Sequence, residues 1–200
     1  MKYLLLSLLL IQVYFCQLNE DLNVYYKDFI RTFGYELEEN PVTTEDGYIL
    51  SPWHLQPQKP NGKVVFLQHG FAGAGWTFFH LGKKSLPIFL LKEGYYVWLG
   101  NTRGNIFSSK HVTKTLQSGL NDYTIDDFFI YDLPSMINLI KTKTGIEKLS
   151  YISHSQGSTI FIMLFMRDLL ILILFQKHDF HHKIYDLLNN RISLCLIMDY

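Results

Sequence analysis

Apolar and polar positions follow a regular order along this chain. Tyr3 to Val13 is apolar except at Ser7 and Gln12, and polar residues begin at Gln17, with acids at Glu20 and Asp21. Thr43 to Leu50 places a turn signal, Asp46-Gly47, ahead of an apolar strand. Gln56 to Gly62 is a loop, and Val64 to Leu67 is a short apolar run of the kind that forms a buried strand, closed by His69-Gly70. Phe71 to Trp76 is rich in glycine and alanine and reads as a loop. Leu86 to Lys92 predicts a short helix ended by Gly94, and Tyr95 to Leu99 predicts the next strand. Thr124 is placed to cap a helix whose first turn carries Asp126 and Asp127. Phe129, Leu133, Met136, Ile137 and Ile140 then recur at helical spacing, with Pro134 expected to kink the helix. Leu149 to Ile152 is a further strand, and helical character resumes at Gln156. Strands alternating with helices predict an α/β fold, a mostly parallel sheet covered by helices on both faces.

The opening run, preceded by Lys2, is too short to span a bilayer and has the charge pattern of a secretory signal peptide. Cleavage after Cys16 is expected, which assigns residues 1–16 to a signal peptide. Of the two cysteines, Cys195 then remains alone and is read as a buried, inert side chain. The 200 residues suit one domain, and 48% hydrophobic residues suffice for a core. Lysine plus arginine equals aspartate plus glutamate at 18 each, and no basic run occurs, which argues against a nucleic-acid partner.

Leu149-Ser-Tyr-Ile-Ser-His-Ser155-Gln-Gly157 carries the chemistry. A strand enters a tight turn holding a serine and leaves directly into a helix. In this nucleophile-elbow arrangement, small flanking residues let strand and helix pack closely. Ser153 stands where the first glycine of the pattern is usual, so the motif alone fits an ordinary strand-to-helix loop as well as a catalytic turn. Upstream, Val64-Val-Phe-Leu-Gln-His69-Gly70-Phe71 ends a strand at the position of an oxyanion loop. Acyl transfer needs two backbone N–H groups aimed at the oxygen that becomes negative, and the candidates are those of Gln156 and Phe71. His69 is read as a structural hydrogen-bonder, as are Arg103 and the asparagines of Leu99-Gly-Asn-Thr-Arg103-Gly-Asn105. Asp132 is read as structural or solvated. The glycines of Gly70-Phe-Ala-Gly73-Ala-Gly75 do not fit Gly-x-Gly-x-x-Gly, and the next strand ends in Asn101-Thr-Arg103 with no acid for a ribose. Dinucleotide binding is discounted.

Several stretches together resemble the gastric and lysosomal acid lipases. They are Thr43-Thr-Glu-Asp-Gly-Tyr-Ile-Leu50, Phe66-Leu-Gln-His-Gly70, Val97-Trp-Leu-Gly-Asn-Thr-Arg-Gly-Asn105, Tyr131-Asp-Leu-Pro134 and His154-Ser-Gln-Gly157. The resemblance runs from about Phe33 to about Phe165. It implies an α/β-hydrolase fold, a Ser-Asp-His triad with Ser155 as nucleophile, and no metal or organic cofactor. The substrates it implies are long-chain acyl esters such as triacylglycerols or sterol esters, met as lipid ester or lipid surface. On this reading, residues 17–62 form an N-terminal lipase-associated region and 63–200 a partial hydrolase core.

Past Phe165 the resemblance stops. In this fold the acid and the histidine follow the nucleophile in chain order. The expectation is therefore a core incomplete at its C-terminal side, a divergent tail over 168–200, an open sheet edge, and weak esterase activity or none. The rival function is an inactive relative that at most binds lipid; an α/β-hydrolase acting on other acyl compounds is a third reading. Leu169 to Phe175 is seven apolar residues in a row, read as a buried strand or helix or as sequence from an altered reading frame. A membrane span from Thr159 to Phe175 would carry Arg167 and Asp168 centrally, at a cost on the order of 5 kcal/mol, and is rejected. His178, His181 and His182, with Asp179 and Asp186 nearby, are read as surface residues. The adjacent His181 and His182 point two ways, which argues against a metal site.

Overall fold

The computed structural model describes residues 21–115, 118–174 and 192–196. The expected signal segment and the His178–His182 cluster lie outside them. The chain divides into two compact units at Leu37/Glu38. In the first, residues 21–31 are helical (α1). Its aromatic side chains meet in sequence, Tyr25 stacking on Phe29 at 6.2 Å and Phe29 meeting Phe33 edge-on at 4.9 Å.

The second unit is built on a six-stranded sheet. In chain order the strands are β1 (Leu37–Glu39), β2 (Val42–Thr43), β3 (Tyr48–Leu50), β4 (Trp53–Leu55), β5 (Val64–Gln68), β6 (Tyr96–Leu99), β7 (Lys110–His111), β8 (Leu149–Ser153) and β9 (Ile192–Leu196). The large sheet runs β1-β4-β6-β5-β8-β9, and β2-β3-β7 form a small antiparallel sheet. β5 is parallel to both β6 and β8, while β4 joins β6 antiparallel. β5 is buried at every position, as a strand covered on both faces must be.

Helices alternate with the later strands. α2 spans Leu86–Lys92 and ends before Gly94, at φ +87°. α3 (Ile125–Asp127) starts at Thr124, whose N–H donates to the Asp127 carboxylate at 2.7 Å. It passes through a π-turn, Phe128–Asp132, into α4 (Leu133–Thr144). The expected kink at Pro134 takes this form: a proline lacks an N–H to give to the preceding turn, and the wider π-turn sits where that bond would have closed. α5 runs from Gln156 to Leu174, so most of the Leu169–Phe175 run is helical. Among the described residues no helix is long and apolar enough to cross a membrane.

Core residues come from both sides of the sheet's central strands. Phe66, Trp98 and Tyr151 meet Leu133, Met136 and Ile140 of α4 and Ile160 and Phe161 of α5 in one cluster. Full burial of each large apolar side chain contributes about 1.5–3 kcal/mol, enough to lock α5 beneath the end of β8. β8 is not the outermost strand, because β9 pairs with it in parallel from Leu149↔Ile192 to Ser153↔Leu196 and takes the outer position itself. The sequence has no resemblance to guide this, but Ile192–Leu196 alternates apolar and polar residues adequately for an edge strand.

Candidate active site

β8 ends at Ser153 and α5 begins at Gln156, leaving His154 and Ser155 to make the whole turn. So tight a reversal forces Ser155 to φ +50°, a conformation rare for non-glycine residues. Its side chain is exposed at the strand's C-terminal end and at the N-terminus of a 19-residue helix, where unpaired N–H groups favour negative charge. Two glycines make the close approach possible. A Cβ on Gly157 would lie 2.7 Å from the carbonyl oxygens of both Gln68 and His69. A Cβ on Gly70 would lie 2.9 Å from His154 Nδ1 and 3.1 Å from Ser155 Cβ. Ser153, standing for the usual glycine, is buried and directs its hydroxyl to Ser158 Oγ at 2.9 Å. A small polar residue fits there because the first turn of α5 offers it a partner.

The loop after β5 lies beside this elbow, tied by His154 N–H to the Gln68 carbonyl at 3.1 Å. Phe71 and Gln156 line one cavity of about 680 Å³, with Trp76, Ile106 and Phe128 among its apolar walls. Gln156 is the first residue of α5, so its N–H has no acceptor within the helix. The only other described non-glycine residue at positive φ is Ala72, at +55°, next to Phe71. Both strained backbones therefore flank the same cavity, the usual location of such strain in a functional site. No sequence signal marks Ala72.

His69, 4% exposed, is neutral: burial pushes its pKa down to about 4 against a hydrogen bond to the Gly70 carbonyl. Nδ1 lies 2.7 Å from that carbonyl and so carries the proton. Nε2 then accepts, with the Thr102 N–H at 3.4 Å, Thr102 Oγ1 at 3.3 Å and Asn105 Nδ2 at 3.4 Å. Asn101 ties the same two loops again, accepting from the Gly75 N–H at 2.8 Å while donating to the Ser51 carbonyl at 2.8 Å.

Behind them, Arg103 is buried between two carboxylates. Its Nε and backbone N–H donate to Asp132 at 2.8 Å each, and Nη1 and Nη2 to Asp46 at 2.6 and 2.9 Å. Its guanidinium carbon lies 4.0 Å over the Tyr48 ring. Burial pushes Asp132 up to about 7 against the pull of Arg103. Asp46 is more open, and there the bonds from Arg103 and Thr44 outweigh burial and hold its carboxyl below the usual range. Asp132 is thus engaged with Arg103, away from any role as a triad acid. Among the described residues no imidazole is hydrogen-bonded to the Ser155 hydroxyl, and no group of three histidine, cysteine, aspartate or glutamate side chains could hold a metal ion.

Two families match the chain: "Partial alpha/beta-hydrolase lipase region" over residues 26–81, and "alpha/beta hydrolase fold" over residues 63–168. Gastric triacylglycerol lipase of Rattus norvegicus is 40% identical over 150 residues, covering 71% of this chain and 38% of that one. Lipase member K of Homo sapiens is 39% identical over 159 residues, 74% of this chain and 39% of that one. Lysosomal acid lipase/cholesteryl ester hydrolase of Macaca fascicularis is 39% identical over 151 residues, 71% and 38%. The chain spans less than half the length of these relatives.

Proposed function

We propose, from a chain that belongs to the α/β-hydrolase fold family and carries its partial lipase region, that Ser155 is the nucleophile of a lipase acting on long-chain acyl esters. The observation that carries this reading is the elbow. Ser155 is exposed at φ +50° on the N-terminus of α5, and Gln156 beside it shares a cavity with Phe71. Ser155 Oγ attacks the ester carbonyl as a histidine base takes its proton. The carbonyl oxygen becomes negative and is held by the N–H groups of Phe71 and Gln156, each such donor contributing about 3 kcal/mol to the barrier reduction. The tetrahedral adduct collapses with the proton passed to the leaving alcohol, and water then releases the fatty acid from Ser155. The apolar walls at Trp76, Ile106 and Phe128 suit an acyl chain better than a polar substrate. The names of the gastric and lysosomal relatives, and the pattern of residues 1–16, support entry into the secretory pathway with cleavage after Cys16.

The test is hydrolysis of a long-chain p-nitrophenyl ester and labelling by a fluorophosphonate, with Ser155→Ala beside the parent chain. Slow turnover and labelling that vanish in Ser155→Ala are expected, and robust turnover would make His178, His181 and His182 the first residues to try as base. Equal background rates from both proteins would overturn the reading in favour of an inactive, lipid-binding relative. Protein recovered from the medium of expressing cells should begin at Gln17; intact Met1 in the cytosol would defeat the secretory assignment.

A further inference from the structure

The Asp46-Gly47-Tyr48 turn and Arg103 lie outside the reacting groups, yet they are joined to them by a continuous set of bonds. The loop 100–105 is bonded to the oxyanion loop at both ends. Thr102 and Asn105 meet His69 Nε2, and Asn101 Oδ1 accepts from the Gly75 N–H. His69 Nδ1 in turn donates to the Gly70 carbonyl. That carbonyl and the Phe71 N–H belong to one planar peptide unit, so whatever turns the first turns the second. The loop itself is held from behind by Arg103, whose backbone N–H and side chain are both fixed to Asp132 and whose outer nitrogens are clamped on Asp46.

We propose that Arg103 is a positioning residue for acyl transfer: clamped between Asp46 and Asp132, it fixes loop 100–105, which orients His69 and through it the Gly70–Phe71 peptide. This rests on the reading of Ser155 as nucleophile and Phe71 as oxyanion donor. A guanidinium is required because it engages two carboxylates in a planar fork, which an ammonium cannot do. The same clamp explains why the Asp-Gly-Tyr turn and the Asn-Thr-Arg-Gly-Asn loop, 57 residues apart at Asp46 and Arg103, are both needed by one site. A purely structural clamp would lower stability alone. A positioning clamp lowers kcat while leaving KM in place, because the oxyanion forms only in the transition state.

The experiment compares Arg103→Lys and Asp46→Asn with the parent chain and with Ile140→Ala, a buried α4 substitution away from the relay. Asp46 is partly exposed, so Asp46→Asn keeps the test alive should Arg103→Lys fail to fold. The readouts are kcat and KM on p-nitrophenyl butyrate, the fluorophosphonate labelling rate, melting temperature, and the amide resonances of Phe71 and Gln156. A misplacement of about 1 Å costs up to ~10²-fold in rate, so kcat should fall by about 10- to 100-fold in the clamp variants. KM should stay within about twofold, and the Phe71 amide should shift while Gln156 stays. Ile140→Ala should lose stability without either change. Clamp variants that match Ile140→Ala in kcat and leave the Phe71 amide in place would overturn the proposal. A parent chain that neither turns over ester nor takes up the phosphonate would instead defeat the lipase reading, and the Phe71 amide would then decide the clamp by itself.

Discussion

His69 carries a consequence for pH that can be worked out from its surroundings. Buried and neutral, it has its pKa lowered to about 4 from the ordinary 6.5, with burial as the cause. Between those values the unfolded chain binds a proton that the folded chain refuses. Stability from this group is therefore full above pH 6.5 and is lost as the pH falls toward about 4. The shift corresponds to about 3 kcal/mol. Asp132 runs the other way: its raised pKa gives stability that is full below 3.8 and lost as the pH rises through about 7. The two slopes offset each other between them, so the His69 contribution must be read by difference. Urea unfolding of the parent chain and His69→Gln across pH 4 to 6.5 should show the parent's advantage shrinking toward acid. An imidazole resonance of His69 titrating near 6.5 would contradict this.

At the level of elements, the strand–turn–helix unit of β8 and α5 is constrained from several sides. Ser155 at positive φ is tolerated because β8 is gripped by β5 on one side and α5 is held below by Tyr151, Ile160 and Phe161. Tyr151 adds a hydroxyl bond to the Gly157 carbonyl at 2.9 Å. Gly157 is the contact on which the unit closes, since its Cβ position lies 2.7 Å from two backbone oxygens that cannot swing aside. Gly157→Ala should therefore push α5 away from β5, at a cost of about 1–3 kcal/mol for overpacking. Fluorophosphonate labelling of Ser155 should fall with it. A variant with the parent's melting temperature and labelling rate would show that the helix can shift without disturbing the elbow. Ser153→Gly, by contrast, loses only the Ser158 hydroxyl bond and should be tolerated, as the motif's usual glycine is.

At the scale of the whole molecule, the decisive feature is that β8 is flanked on both sides, by β5 and by β9. β9 extends the parallel ladder beyond β8 along five residue pairs, so the strand that leads into Ser155 is interior rather than an edge. An interior strand has both rows of backbone groups bonded, which protects it from pairing with another chain. Leu194→Pro places a residue with no N–H in the middle of β9, opposite Tyr151. The expected result is faster hydrogen exchange at Leu149–Ser153 and concentration-dependent aggregation, read by exchange mass spectrometry and light scattering. Unchanged exchange in β8 would mean that this pairing adds nothing to the sheet.

Much of the site was legible in the sequence because it depends on local patterns. The run Leu149–Ile152, a serine between small residues and helical spacing after Gln156 require a strand, a turn and a helix wherever they occur. Val64–Gly70 and the Thr124 cap speak through neighbours in sequence for the same reason. The resemblance of five separated motifs then supplied the fold. Tertiary structure alone decided what depends on residues brought together from afar. No pattern announces that Ala72 is strained, that Pro134 follows a π-turn, or that Ile192–Leu196 would pair with β8, since each is fixed by packing against distant chain. Nor does a sequence say which partners a buried arginine selects. Asp46, Tyr48 and Asp132 surround Arg103 because burying a guanidinium requires its charge and donors to be matched, and only the folded chain brings those groups within reach.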